Sequence, residues 1–80
     1  MSKPTFKTSR ASFHVVFERE EDGRWIAEIS KLPGVLAYGE TKTEARKKVL
    51  AIALRTLADK VEHGNTPVSV SKMFYAVARG

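Results

Sequence analysis

Between Asp22 and Ala45 the chain reads D-G-R-W-I-A-E-I-S-K-L-P-G-V-L-A-Y-G-E-T-K-T-E-A, and this run marks every reversal that a small meander followed by a helix requires. Asp22-Gly23 closes the polar stretch Glu20–Arg24 with residues suited to the positive φ of a hairpin turn. Trp25, Ala27 and Ile29 then alternate with Ile26 and Glu28, the period of a strand. At Leu32-Pro33-Gly34 the proline presets φ and withdraws a donor, while the glycine accepts geometry that side chains resist, so a corner is expected. Val35 to Tyr38 supplies a third strand. Thr41-Lys42-Thr43-Glu44 has the form of a capping box, with Thr41 as N-cap and Glu44 reaching back to its N–H, so a helix is expected from about Lys42.

The flanks extend this order. Upstream, Phe13, Val15 and Phe17 alternate with His14, Val16 and Glu18, giving a first strand antiparallel to Trp25–Ile29. Downstream, Ala45, Val49, Ile52, Ala53, Leu57 and Val61 recur at helical spacing, Leu50 and Leu54 widen the stripe, and Gly64 is a stop signal. After Asn65-Thr66-Pro67, the β-branched and aromatic residues of Val68–Ala78 predict a final strand. The expected order is β-β-β-α-β, an α+β domain whose mostly antiparallel sheet carries one long helix on one face. A last strand parallel to a neighbour in that sheet would make the crossover right-handed. Both strand faces carry apolar residues, so the sequence leaves open which face the helix covers.

Eighty residues suffice for one domain with a modest core. Residues 1–12, with Lys3, Lys7 and Arg10 and no acid, read as a flexible basic arm, and residues 13–80 as the single folded domain. No cysteine is present, so stability rests on packing without disulfides or thiolate metal sites, and a reducing cytoplasm fits. No apolar run reaches the ~20 residues of a membrane helix.

Little in the sequence points to chemistry. His14 and His63 lack the partners of a nucleophilic triad, and His63 reads as a cation at a helix C-terminus. Glu18, Glu20, Glu21, Asp22 and Glu28 gather around the first hairpin, where acids ordinarily provide solubility and blunt a sheet edge rather than hold a metal. Gly34 and Gly39 belong to no phosphate-binding loop. The expectation is a protein that is not an enzyme, with no metal and no cofactor. The net charge of +5 raises the question of a polyanionic partner. On the helix, Glu44 can pair with Lys48 and Arg55 with Asp59, leaving Arg46 and Lys47, with Lys3, Lys7 and Arg10 of the arm, as a candidate phosphate-contacting patch. The same residues are also what a solvated helix face looks like.

The run from Val15 to Leu57 resembles the HicB family of antitoxins, specifically its N-terminal, partial RNase H-like domain. The resemblance is carried by V-V-F-E, D-G-R-W-I-A-E-I, the L-P-G-V corner at Leu32–Val35, A-Y-G-E-T at Ala37–Thr41 and the E-A start of an apolar helix. It implies a type II toxin–antitoxin protein that binds a HicA-type mRNA-cleaving toxin and covers its catalytic histidine. It also implies a fourth strand parallel to the first. Active RNase H enzymes hold metal ions on strand carboxylates, whereas the centre of the first strand here is His14-Val15-Val16. Many members of the family continue into a DNA-binding domain; with this chain ending at Gly80, operator binding by that route is not expected.

Candidate toxin contacts are Glu18, Glu20, Glu21, Asp22, Arg24 and Trp25, an acidic tip with an Arg and an aromatic anchor; Trp25 has a plain alternative as a core residue. A stand-alone nucleic-acid-binding or regulatory module using the arm and helix is the alternative. Met73, Phe74, Tyr75 and Val77 on the expected last strand suggest a homo-oligomer formed strand to strand.

Overall fold

The computed structural model describes residues 12–79. Its elements are β1 (Val15–Arg19), β2 (Trp25–Ile29), β3 (Leu36–Gly39), the long helix α1 (Lys42–Glu62) and a single turn, α2 (Val68–Ser71). The sheet is antiparallel in the order β1-β2-β3. Its register sets Val15 opposite Ile29, Phe17 opposite Ala27 and Ala27 opposite Ala37. This is the expected α+β arrangement of three antiparallel strands and one long helix. The expected basic arm, residues 1–12, lies outside the described residues apart from Ser12.

Three local devices set the path. At the first hairpin, Glu20 N–H donates to Arg24 O at 2.7 Å and Gly23 N–H to Glu20 O at 2.9 Å. Gly23 has φ 92°, so Glu21-Asp22-Gly23 is a three-residue loop closed by a left-handed glycine. At the corner, Val35 N–H donates to Leu32 O at 3.0 Å with Gly34 at φ 83°, a type II turn with proline and glycine in their favoured places. Gly39, at the end of β3, lies against the first turn of α1, where an added Cβ would sit 2.5 Å from Ala45 N.

Thr41 caps α1 as its sequence indicates, its Oγ1 accepting from Glu44 N–H at 3.0 Å. The reciprocal bond differs by one residue: the Glu44 carboxylate accepts from Glu40 N–H rather than from Thr41. The C-terminal end of α1 is a Schellman arrangement, with Asn65 N–H to Lys60 O and Gly64 N–H to Val61 O.

α1 packs over β3 and β2. The covered sheet face is therefore the one bearing Ala27, Ile29 and Ala37, and these form the core with Leu32, Val35, Ala45, Val49 and Ala53. Phe13, Val15, Phe17 and Trp25 border that core, half-buried, because the helix reaches the β1 side less completely.

The expected final strand is not formed. Val68–Ser71 makes one helical turn and residues 74–79 have no strand partner. Pro67 stands at the N-cap, and its carbonyl accepts from both Val70 N–H and Ser71 N–H at 3.0 Å. The buried Ser69 fixes the turn against the body of the protein. Strand propensity at Val68 and Val70 yields here to local capping and burial, as context routinely requires. With no fourth strand there is no crossover back to β1, and the strand order is β-β-β followed by two helical segments.

Candidate functional site

The first hairpin brings most of the expected contact residues together. Glu18, Arg19, Glu20, Glu21 and Asp22 line one open recess at its tip. Asp22 is tied down: its carboxylate accepts from Arg24 N–H at 3.1 Å and from Arg24 Nε at 2.8 Å. The bond from the Arg24 backbone N–H is the main cause that holds the Asp22 carboxyl below its ordinary value; desolvation opposes it, and the guanidinium adds a lesser lowering. Glu18, Glu20 and Glu21 form no ion pair among the described residues. The tip thus keeps three carboxylates available to a cationic partner, with the fourth serving the loop.

Arg24 and Trp25 fall on opposite faces of the sheet, as strand alternation demands. The Arg24 guanidinium lies 4.6 Å from the Tyr38 ring centre on the face away from α1. Trp25 takes its plain alternative and borders the core on the helix side. Lys42 Nζ at 5.1 Å and Arg19 at 5.2 Å stand over its ring, and Lys42 also lies 5.5 Å from Phe17. A ring engaged in this way stabilises the junction of β1, β2 and α1.

The helix-free face adds residues that sequence reasoning did not select. The register places Glu18 beside Ile26 and Tyr38, and Val16 beside Glu28 and Leu36. Val16, Leu36 and Tyr38 are exposed and Ile26 half-buried. The signal was present, since both alternating sets in these strands contain apolar residues; only the helix placement shows which set remains uncovered. Comparison of the chain with known protein families, curated proteins and solved structures finds no match. The site is therefore characterised by its own geometry.

The basic residues are less united. Lys3, Lys7 and Arg10 lie outside the described residues. Lys47 shares a recess on the β3 flank of α1 with Lys48 and Arg55, and Arg46 is not part of it. Lys48 Nζ stands 3.8 Å from Glu44 as expected, but Asp59 pairs with His63 at 3.4 Å instead of with Arg55. None of the cation–ring contacts involves Arg46 or Lys47. Among the described residues no three His, Asp or Glu side chains converge in a metal-binding arrangement, and no helix is long and apolar enough to cross a membrane.

Proposed function

We propose that this chain is an antitoxin-like protein that binds a HicA-type ribonuclease toxin and inhibits it by occlusion, performing no chemistry itself. The observation that carries the reading is the continuity of an acidic tip, Glu18, Glu20 and Glu21, with a helix-free sheet face of Val16, Leu36 and Tyr38. Apolar side chains rimmed by one sign of charge suit a partner that itself binds RNA through cations. The family resemblance supplies the identity of that partner. The net positive charge of the whole chain does not oppose this, because local potential rather than net charge guides docking. Arg24, lying over Tyr38, is the anchor we assign to the contact, whereas Trp25 supports it from the opposite face.

The test is RNA cleavage by a HicA-type toxin in the presence of the purified protein. Suppression at equimolar ratio is expected, with binding weakened by charge reversal of Glu20 and Glu21 and by Tyr38→Ala. Undiminished cleavage at tenfold excess would refute the reading. A second reading, nucleic-acid binding, is favoured by the recess shared by Lys47, Lys48 and Arg55. It requires oligonucleotide affinity that falls steeply with salt through counterion release.

A further inference from the structure

Three features converge on the β1 flank. β1 is the terminal strand and pairs only with β2, so its outer backbone groups have no ladder partner among the described residues. Such an edge is a template for another strand.

The second feature is an apolar stripe on α1 that the core uses only in part: Leu57 packs against the core, and Val70, Met73 and Phe74 of the same chain line a groove with Leu54, Leu57 and Val61. Leu50, Leu54, Leu57 and Val61 are spaced four, three and four residues apart and fall within about 60° of one another around the helix. Ile52 and Arg55 adjoin Ala37 of β3 on the other flank, so this stripe lies toward β1. Leu54 at its centre is 67% exposed. A strand added outside β1 would place alternate side chains beneath the stripe.

The third is the tail. Phe74-Tyr75-Ala76-Val77-Ala78 has strand composition and no helical bonding after Phe74, with Tyr75 91% and Val77 77% exposed. It does not occupy its own chain's β1 edge. The α2 turn, fixed by Ser71 N–H to Pro67 O and Lys72 N–H to Val68 O, delivers Met73 and Phe74 to a groove beside Leu54, Ala58 and Val61 on the helix.

We propose that the β1 edge is filled by a second copy of this chain, Phe74–Arg79 of each protomer adding as a fourth strand to β1 of the other. Donor strand and acceptor edge reside on the same chain, so the exchange is self-complementary and closes as a two-fold dimer. Charge suits the acidic end of this edge in either direction: residues 72–79 contain Lys72 at one end, Arg79 at the other and no acid, so one cation lies toward Glu18 and Glu20 whichever way the strand runs. The exchange stands independently of the toxin reading, since it uses the edge of β1 and the helix stripe rather than the helix-free face.

Sedimentation equilibrium of the full chain tests it, with an equimolar mixture of isotopically labelled and unlabelled protein used for filtered NMR contacts. The expected result is a dimer with interchain contacts between residues 74–78 and 15–19. Val77→Pro on the donor and Leu54→Glu on the acceptor each raise the dissociation constant, the proline by roughly a hundredfold. Both positions are exposed, so each variant retains the circular dichroism of the parent. A monomer at 100-fold the concentration used for folding measurements would overturn the proposal. So would a dimer indifferent to both variants, or β1 contacts made by residues 1–11 or by the same chain's own tail.

Discussion

Residues 15–64 and residues 66–79 are built from similar side chains, yet only the first segment becomes sheet and core. In the first, each junction is specified twice. Gly23 and Gly34 provide the positive φ their turns require, and the strands they join bury Ala27, Ile29 and Ala37 against α1. In the second, Val68, Val70, Tyr75 and Val77 prefer extended backbone, but no strand among the described residues pairs with it. A strand gains its stability from cross-strand partners, so propensity without pairing specifies little.

The sharpest way to break the contrast is to delete apolar side chains in each segment. Ile29 and Val49 are the largest fully buried side chains in a core otherwise rich in alanine. Ile29→Ala is expected to cost about 2–5 kcal/mol. Tyr75→Ala, measured below the concentration at which copies associate, is expected to change stability by less than about 0.5 kcal/mol. Urea denaturation of the two variants checks both, and a comparable loss for Tyr75→Ala would mean that the tail is packed within its own chain.

Next comes the seam between β3 and α1. An added methyl at Gly39 meets the Ala45 backbone at 2.5 Å, and backbone has less freedom to move aside than a side-chain end. Gly39→Ala is expected to cost about 1–3 kcal/mol, read as a lowered melting temperature. Gly23 has open space at its Cβ position and only its φ to lose, so Gly23→Ala should cost about 1–2 kcal/mol. A loss at Gly39 well below about 1 kcal/mol would indicate that β3 moves readily away from α1.

The meander, corner, N-cap and C-cap were legible because each rests on chemistry within a few residues: Asp22-Gly23, Pro33-Gly34, Thr41 with Glu44, and Gly64. The tail was not, because whether Val68–Ala78 becomes a strand depends on an edge more than fifty residues away, and Pro67 with the buried Ser69 decides locally for a turn. The candidate site was half legible. The acids of the hairpin are contiguous in sequence, so their gathering was visible. Tyr38, Val16 and Leu36 meet them only through strand register, and Trp25 faces the core because α1 covers its side of the sheet. The partner is a separate matter, resting on the family resemblance together with this surface.

Thr41→Ala removes the acceptor of Glu44 N–H and should cost about 1 kcal/mol, a loss that calorimetry resolves in a domain this small. Thr43→Ala, one turn position inside the same helix and exposed, supplies the control, with a change within about 0.5 kcal/mol.

The smallest effect belongs to Asp22, at the exposed tip of the first hairpin. Its carboxyl is held below the ordinary aspartate value in the folded protein, so it binds a proton less readily there than in the unfolded chain. The resulting stabilisation is present above the unfolded-state value and is lost as pH falls through the folded one, a window that lies below pH ~4. Two substitutions divide its causes. Arg24→Ala removes the guanidinium but keeps the residue-24 N–H, the larger contributor, so the Asp22 carboxyl followed by NMR should still titrate below the ordinary value. Arg24→Pro removes that N–H as well and should bring the titration up to the ordinary value. A full return in Arg24→Ala would instead assign the loop's order to the ion pair, and the hairpin would then owe its shape less to backbone geometry than Gly23 and the Glu20–Arg24 bond indicate.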